Sequence, residues 1–419
     1  MTATLAGSQA ALKVLYPNGE LPKSINQKFQ FLNRMKKEKN FVGELAMVPI
    51  QNANPQGSAG TVPAAQAAVQ QGNYLRFQLT RIRHYGIARI TGEAAEAAVR
   101  TEGALVDLWD NETKGIATTE MSTLATYAYG TGDGTLSQIL SGSATPTITL
   151  PTTVNMNYFE LGMSLQAVST TGLSPVIRAL AVANTPPKIT AIDRRARTIT
   201  TTGNWSAAIT GLVDTDYLVR WGDAVPGAAA APTAVITGLG GYVVGGTTPG
   251  TLFQLNRNQD PVRLAGQAID YTGWAMEDAV VDASAQAGFH GVGYPDLLVA
   301  NNVDVANMKK SLGAKITYQK SDTTGAGATH SFSKLVIEGE AGPIEVLADP
   351  FCPRNKAFLL TLDAFSIFSI GAAPSLAKFD GLDVLRIPTD DVYEVRFKTY
   401  GQMKCKLPGP QIQLQNFGL

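Results

Sequence analysis

Residues 334–371, KLVIEGEAGPIEVLADPFCPRNKAFLLTLDAFSIFSIG, decide how the rest of the chain is read. The stretch opens as an edge-type hairpin, runs into a buried β segment and continues as a second strand-rich segment. No catalytic residue is assigned in it, so it reads as architecture. The closing segment from Tyr393 to Pro408, YEVRFKTYGQMKCKLP, continues the pattern.

Composition agrees with a structural role. A chain of 419 residues buries one or two sizeable cores plus an insertion. Only 16% of its residues are charged, with 34 Lys+Arg against 34 Asp+Glu, and its mean hydropathy is near zero. Such a surface suits extensive subunit contact. The balance also argues against tight nucleic-acid binding, which needs clustered cations on phosphates. Cys352 and Cys405 form no CxxC pair, so neither a disulfide framework nor a zinc ribbon is expected, and both read as reduced core thiols. No signal segment and no apolar run near the ~20 residues of a membrane span is present, which predicts a chain made in the cytosol with no membrane partner. In that compartment the acceptor patterns Asn111-Glu112-Thr113 and Asn204-Trp205-Ser206 carry no meaning.

Along the chain the character changes several times. From Met1 to Asn40, seven lysines and arginines face only Glu20 and Glu38, a basic arm expected as a solvated amphipathic segment lying along a neighbour. Between Phe41 and Gly92, strand-like ends flank an uncharged middle, Gln51 to Asn73; Tyr74–Arg83 alternates apolar and polar residues. Composition predicts a hairpin with a disordered tip. From Gly92 to Tyr129 the period becomes helical, with Val99, Val106, Trp109, Ile116, Leu124 and Tyr127 on one face and Glu96, Arg100, Asp107, Asp110, Lys114 and Thr118 on another, over roughly 55 Å. Trp109 reads as a packing anchor. Thr147 to Asp223 then holds short β-rich runs (159–169, 176–185, 188–192, 198–202, 217–221), a small barrel or sandwich with Asp193–Arg197 as a hairpin tip. An Ala/Gly/Pro/Thr-rich linker follows, so this β module reads as an insertion expected to fold as a compact unit. Gly273–Ala287 predicts a helix closed by Gly288; Leu297–Ala300 is a buried strand, Asn301 or Asn302 caps the next helix, and Gly313 ends it.

The 334–371 and 393–408 segments, with the hairpin, the long helix and the strand–cap–helix–stop around Leu297–Gly313, resemble the major capsid proteins of tailed bacteriophages, the shell-forming fold shared with encapsulins. The resemblance leaves mainly the inserted module uncovered. It implies an α+β fold with an N-terminal arm (1–40), an extended loop lying across the adjacent subunit (41–92), a spine helix and the start of the peripheral and axial core (93–146), an inserted β domain (147–225), a linker (226–251), and an axial domain returning to the peripheral domain (252–419). It implies a chain that self-assembles into hexamers and pentamers of an icosahedral head around phage DNA, located in the virion after assembly in the host cytoplasm. A separate scaffolding protein, a portal and a decoration protein would be its partners, with double-stranded DNA touched only weakly and non-specifically. Arg76, Arg81, Arg83 and Arg89, flanking the neutral loop tip, would make the intersubunit contacts. Some members of the family cross-link their shells through a lysine on this loop; here no lysine lies between Lys39 and Lys114, so no such bond is expected.

Enzymatic chemistry finds no footing. His84, His290 and His330 lack ligand spacing, and no GxSxG elbow exists, so no catalytic residue, metal or cofactor is assigned. The glycine-rich runs 130–134 and 238–241 neither end in Gly-Lys-Ser/Thr nor open a helix after a strand, and read as loops. The pairs Asp214/Asp216, Glu338/Glu340 and Asp390/Asp391 read as solvated carboxylates in turns or on outward strand positions. An encapsulin-type compartment fits the fold but not the insertion and long hairpin. A glycan-acting enzyme would need an acid pair in a cleft with an aromatic platform, and a secreted adhesin would need a signal sequence.

Overall fold

The computed structural model describes residues 28–94, 108–171, 176–223, 235–312, 335–340, 342–378 and 384–418. In chain order its elements are α1 (Gln30–Arg34), β1 (Lys36–Glu38), β2 (Leu45–Ala53), α2 (Val62–Ala67), β3 (Asn73–Thr80), β4 (Ile82–Thr91), α3 (Leu108–Tyr127), β5 (Thr135–Gln138), β6 (Thr147–Thr149), β7 (Leu165–Val168), β8 (Ile189–Asp193), β9 (Thr198–Thr201), α4 (Trp205–Ala208), β10 (Tyr217–Arg220), α5 (Leu239–Tyr242) and β11 (Val243–Gly245). There follow β12 (Thr251–Leu252), β13 (Leu255–Asn256), α6 (Pro261–Leu264), β14 (Gly266–Asp270), α7 (Met276–Phe289), β15 (Leu297–Ala300), α8 (Asn302–Leu312), β16 (Leu335–Gly339), β17 (Gly342–Ala348), β18 (Lys356–Leu360), β19 (Phe365–Ser369), β20 (Ser375–Leu376), β21 (Leu385–Arg386), β22 (Val392–Cys405) and β23 (Ile412–Gln415).

A seven-stranded mixed sheet, ordered β11-β14-β23-β18-β15-β17-β16, separates two cores. Leu297 and Val299 join Phe358 and Leu360 on one side, while Leu298 and Ala300 join Ala357 and Leu359 under α7 and α8 on the other. All four residues of β15 are buried, which is why this strand carries no polar alternation. The quoted 334–371 segment thus supplies four strands, three in this sheet and β19 in the next.

That second sheet runs β1-β19-β22-β20, with β4 and β21 also paired to β22. Over residues 392–401, β22 pairs antiparallel with β4 from Val392↔Thr91 to Gly401↔Ile82. Residues 28–40, expected to be solvated, instead close this sheet: Phe31, Leu32 and Met35 are buried, β1 runs parallel to β19, and Lys404 Nζ sits 2.7 Å from Glu38. Residues 1–27 of the basic arm lie outside the described residues.

β2 and β3 form the expected hairpin, from Leu45↔Thr80 to Ala53↔Asn73. Its tip is ordered rather than loose. Gln56 and Gln70 exchange both backbone hydrogen bonds, and Pro63 sits in the first turn of α2, where its missing N–H costs nothing.

Helix α3 spans Leu108–Tyr127, about 30 Å; the expected face residues Val99 and Val106, and the side chain of Trp109, fall outside what is described. Its last turns are buried all round, from Ser122 to Tyr127. The hydroxyls there bond back along the helix, Thr123 to Thr119 O and Thr126 to Ser122 O at 2.9 Å, so the buried polar side chains are satisfied. Beyond the helix the two glycine-rich runs pack backbone to backbone. Leu239 N–H donates to Ala128 O at 2.8 Å, and a Cβ on Gly238 would overlap the carbonyl oxygens of Tyr127 and Ala128.

Two three-stranded sheets, β5-β10-β7 and β6-β9-β8, fill residues 135–220. The predicted run 176–185 supplies only isolated bridges, Ile177 to Val168 and Leu180 to Ile209. Their core is continuous with the main one: Ile148, Met156, Tyr158, Phe159 and Trp205 cluster with Phe351 and Phe358. Asn155 Nδ2 donates to Pro350 O and Cys352 O, and Tyr158 OH to Phe351 O. Helix α7 runs through Gly288 to Phe289 and is capped by His290; at Gly288 a side chain would meet the ring of Tyr294. Asn301 caps α8 as expected, its Oδ1 accepting from Val303 N–H at 3.1 Å.

Candidate assembly surfaces and the buried junction beneath them

The β2–β3 hairpin is apolar on one face and mixed on the other. Val48, Ile50, Phe77 and Leu79 enter the main core. On the other face and at the tip, Leu45, Met47, Tyr74, Val62 and Val69 are exposed, with Val42 at the base 84% exposed. Water on these apolar side chains is costly. A second apolar exposure lies past α7, where Phe289 is 87% exposed and Tyr294 and Leu407 are also open to solvent.

The four arginines divide into two kinds. Arg81 donates to Gly43 O at 2.7 Å and lies 5.8 Å from the Phe41 ring centroid, bracing the hairpin base. Arg89 holds the buried carboxylate of Glu394 at 2.7 Å. Arg76 on β3 and Arg83 on β4 are exposed.

Beneath β4 lies a polar junction that sequence reading missed. His84 places Nδ1 2.9 Å from Glu120 Oε2 on α3 and Nε2 3.5 Å from Asp223 Oδ1, at the turn after β10. Tyr127 OH donates to the other oxygen of Asp223, and Arg220 Nε is 4.0 Å away. Burial alone would lower the imidazole pKa, but the hydrogen bonds and charges of Asp223 and Glu120 outweigh it and raise it to about 9. The imidazolium therefore cross-braces three segments. Residues 84, 120 and 223 are each unremarkable in sequence, and no spacing rule joins them.

The three carboxylate pairs differ in fate. Glu338, Glu340, Asp390 and Asp391 are exposed. Asp216 corrects the solvated reading: it is 2% exposed and receives both Nε and Nη2 of Arg178 at 2.9 Å, because the turn folds back onto β7 and its flank. In the hairpin tip 193–197, Arg194 is spent on the carbonyls of Met156 and Phe159. Cys352 and Cys405 are free and buried, and burial pushes the Cys405 thiol up to about 12. Among the described residues no group of His, Cys, Asp or Glu is placed to hold a metal, and no helix is long and apolar enough to cross a membrane.

No protein-family model and no curated protein matches the sequence. Solved structures do. The capsid asymmetric unit of cyanophage A-1(L) superposes with a TM-score of 0.53 at 12% identity, covering 95% of each chain. The capsid of an empty GTA particle gives 0.50 at 10% identity, over 96% of this chain and 94% of that one. The α+β architecture is thus the phage major-capsid fold. It extends over nearly the whole length, with almost no shared sequence.

Proposed function

We propose that the chain is a major capsid protein that self-assembles into hexamers and pentamers of an icosahedral head shell enclosing phage DNA. The observation that carries this reading is the 95% mutual coverage of the cyanophage capsid chain: the likeness runs over nearly the whole of both chains. In this reading the β2–β3 hairpin is the extended loop, its exposed apolar strip and Arg76 resting on an adjacent subunit. Arg81 and Arg89 act through the groups they hold, and Arg83 stands exposed on β4. Residues 147–225 are a β module inserted in the shell fold and fused to its core. The role is structural and the place of the protein is the virion. A separate scaffolding protein, a portal and a decoration protein complete the assembly, and DNA is touched weakly.

The full chain, expressed and purified, tests this by sedimentation and electron microscopy. Rings or closed shells of uniform size are expected. A species that stays monomeric at high concentration, with no particles in the lysate, sinks the reading.

A further inference from the structure

The outward face of the β4–β22 pair is charged out of proportion to the chain. Opposite residues share a face in an antiparallel pair. The register Arg89↔Glu394, Ile87↔Arg396, Tyr85↔Lys398 and Arg83↔Tyr400 therefore sets four cations, two tyrosines and an isoleucine against one carboxylate. The opposite face packs on α3, where His84 meets Glu120. In a molecule whose formal charge is zero, these eight side chains carry three net positive charges.

One end of the face already displays how it takes a carboxylate. Glu394 lies between the guanidinium groups of Arg89 on one strand and Arg396 on its own, one oxygen to each. At the other end of the ladder Arg83 stands opposite Tyr400. Arg83 is exposed beside the hydroxyls of Tyr85 and Tyr400, which lie 3.0 Å apart with their rings edge to face, and Lys398 Nζ lies 5.5 Å from the centroid of the Tyr400 ring. Between the ends, the side chain of Ile87 is 47% exposed. The face spans about 20 Å, and its side chains repeat about every 7 Å, the same repeat as alternate side chains of an extended peptide laid along it.

We propose that this face binds an extended acidic segment of a second, different polypeptide. Its carboxylates seat on Arg83 with the two tyrosine hydroxyls and on the outer edges of Arg396 and Arg89, and an apolar side chain covers Ile87. A nucleic acid fits less well. Phosphate affinity grows with the number of clustered cations, whereas here Glu394 takes up much of two of the four and the middle of the face is aliphatic. Another copy of this chain is also a poor source of the acid. The only stretch of five residues holding three carboxylates is 390–394, and it ends in Glu394, already buried in this face. The face is a property of the sheet alone, whether or not the chain forms shells.

The test uses the full unassembled chain and a fluorescein-labelled twelve-residue peptide with aspartate at every second position and serine between, followed by anisotropy. Binding is expected in low salt, weakening as NaCl rises from about 50 to about 300 mM. Arg83→Glu should weaken it about tenfold, and Tyr85→Phe, which removes one hydroxyl from an exposed side chain without threatening the fold, should weaken it about threefold. Arg195→Glu, an exposed cation elsewhere, should leave it unchanged. Three results overturn the proposal: affinity indifferent to both β4 variants; a 20-base-pair duplex that competes for the same residues and binds more tightly than the peptide; or shells that no longer take the peptide while Arg83→Glu abolishes their formation, which would make the face a contact between copies. Shell formation, read separately by microscopy, keeps failure here distinct from failure of the capsid reading.

Discussion

Asp349 caps a helix that lies 318 residues before it: its Oδ2 accepts the backbone N–H of Phe31 at 2.8 Å, at the start of α1, whose own N-cap residue Phe29 offers no side-chain bond. The other oxygen accepts Phe351 N–H at 2.8 Å. Replacing Asp349 by alanine leaves two buried N–H groups unmet, at about 1–3 kcal/mol each. Trypsin should then cut between Arg34 and Lys39 well before it attacks the rest of the chain. Equal protection of this segment in the variant and the parent would show that the apolar contacts of Phe31 and Leu32 hold it unaided.

The His84 junction makes stability fall on the alkaline side. The folded imidazole titrates at about 9 against an ordinary 6.5, so its contribution is complete below about pH 6.5 and is lost as pH rises through 9. By linkage the full contribution is about 3 kcal/mol. Denaturant unfolding of the unassembled chain from pH 6 to 10 should display this decline. In His84→Gln the decline should vanish and stability at neutral pH should drop, with Glu120 and Asp223 left facing each other. A variant as stable as the parent at pH 7 would remove the imidazolium from the account.

Gly238 and Gly246 separate close approach from backbone strain. An added methyl at Gly238 meets the carbonyl oxygens at the end of α3, so the two glycine-rich runs must part; a cost above about 3 kcal/mol is expected, in the range of a badly overpacked core. Gly246 has φ +85° and open space around it, and Gly246→Ala should cost about 1 kcal/mol. Urea midpoints of the two variants give the comparison, and similar shifts would contradict it.

Residues 147–225 excised from the chain should lack a sharp unfolding transition, against the self-contained unit that their composition suggests. Met156, Tyr158 and Phe159 would lose the packing of Phe351, and Asn155 and Tyr158 would lose the carbonyls of residues 350–352. A cooperative thermal melt of the excised piece by circular dichroism would refute this.

Mature particles boiled in denaturant should release single chains of 44.3 kDa on a gel, since the segment from 40 to 113 holds no lysine to supply an amine. Multimers that survive reductant would contradict the expectation.

How much of this was legible in the sequence depended on what each residue answered to. Leu297–Ala300 stood out because a strand buried on both faces must be apolar throughout, and the alternation of 74–83 stood out because one face of the hairpin is core. The order of the hairpin tip did not, because Ala, Gln and Pro serve a short helix as readily as a linker, and the decision lies in the Gln56–Gln70 bonds. Gly288 was read as a stop when it marks the approach of Tyr294. Asp216 looked solvated because its partner Arg178 is 38 residues away in the chain. The His84 junction was hidden for the same reason, while the β4–β22 face needed the register before Arg83 and Tyr400 could be placed together.

The pairing of β4 with β22 and of β1 with β19 also bears on when the molecule can exist. Strands near residue 36 and residue 85 find their partners only beyond residue 365. During synthesis, the early strands wait for more than 280 residues before either ladder can zip, a long loop to close and a slow step. Until β22 leaves the ribosome, the base of the hairpin has no sheet to stand on and its apolar strip no fixed direction. Translation thus sets an order on folding: the second sheet cannot be completed before β22 is made.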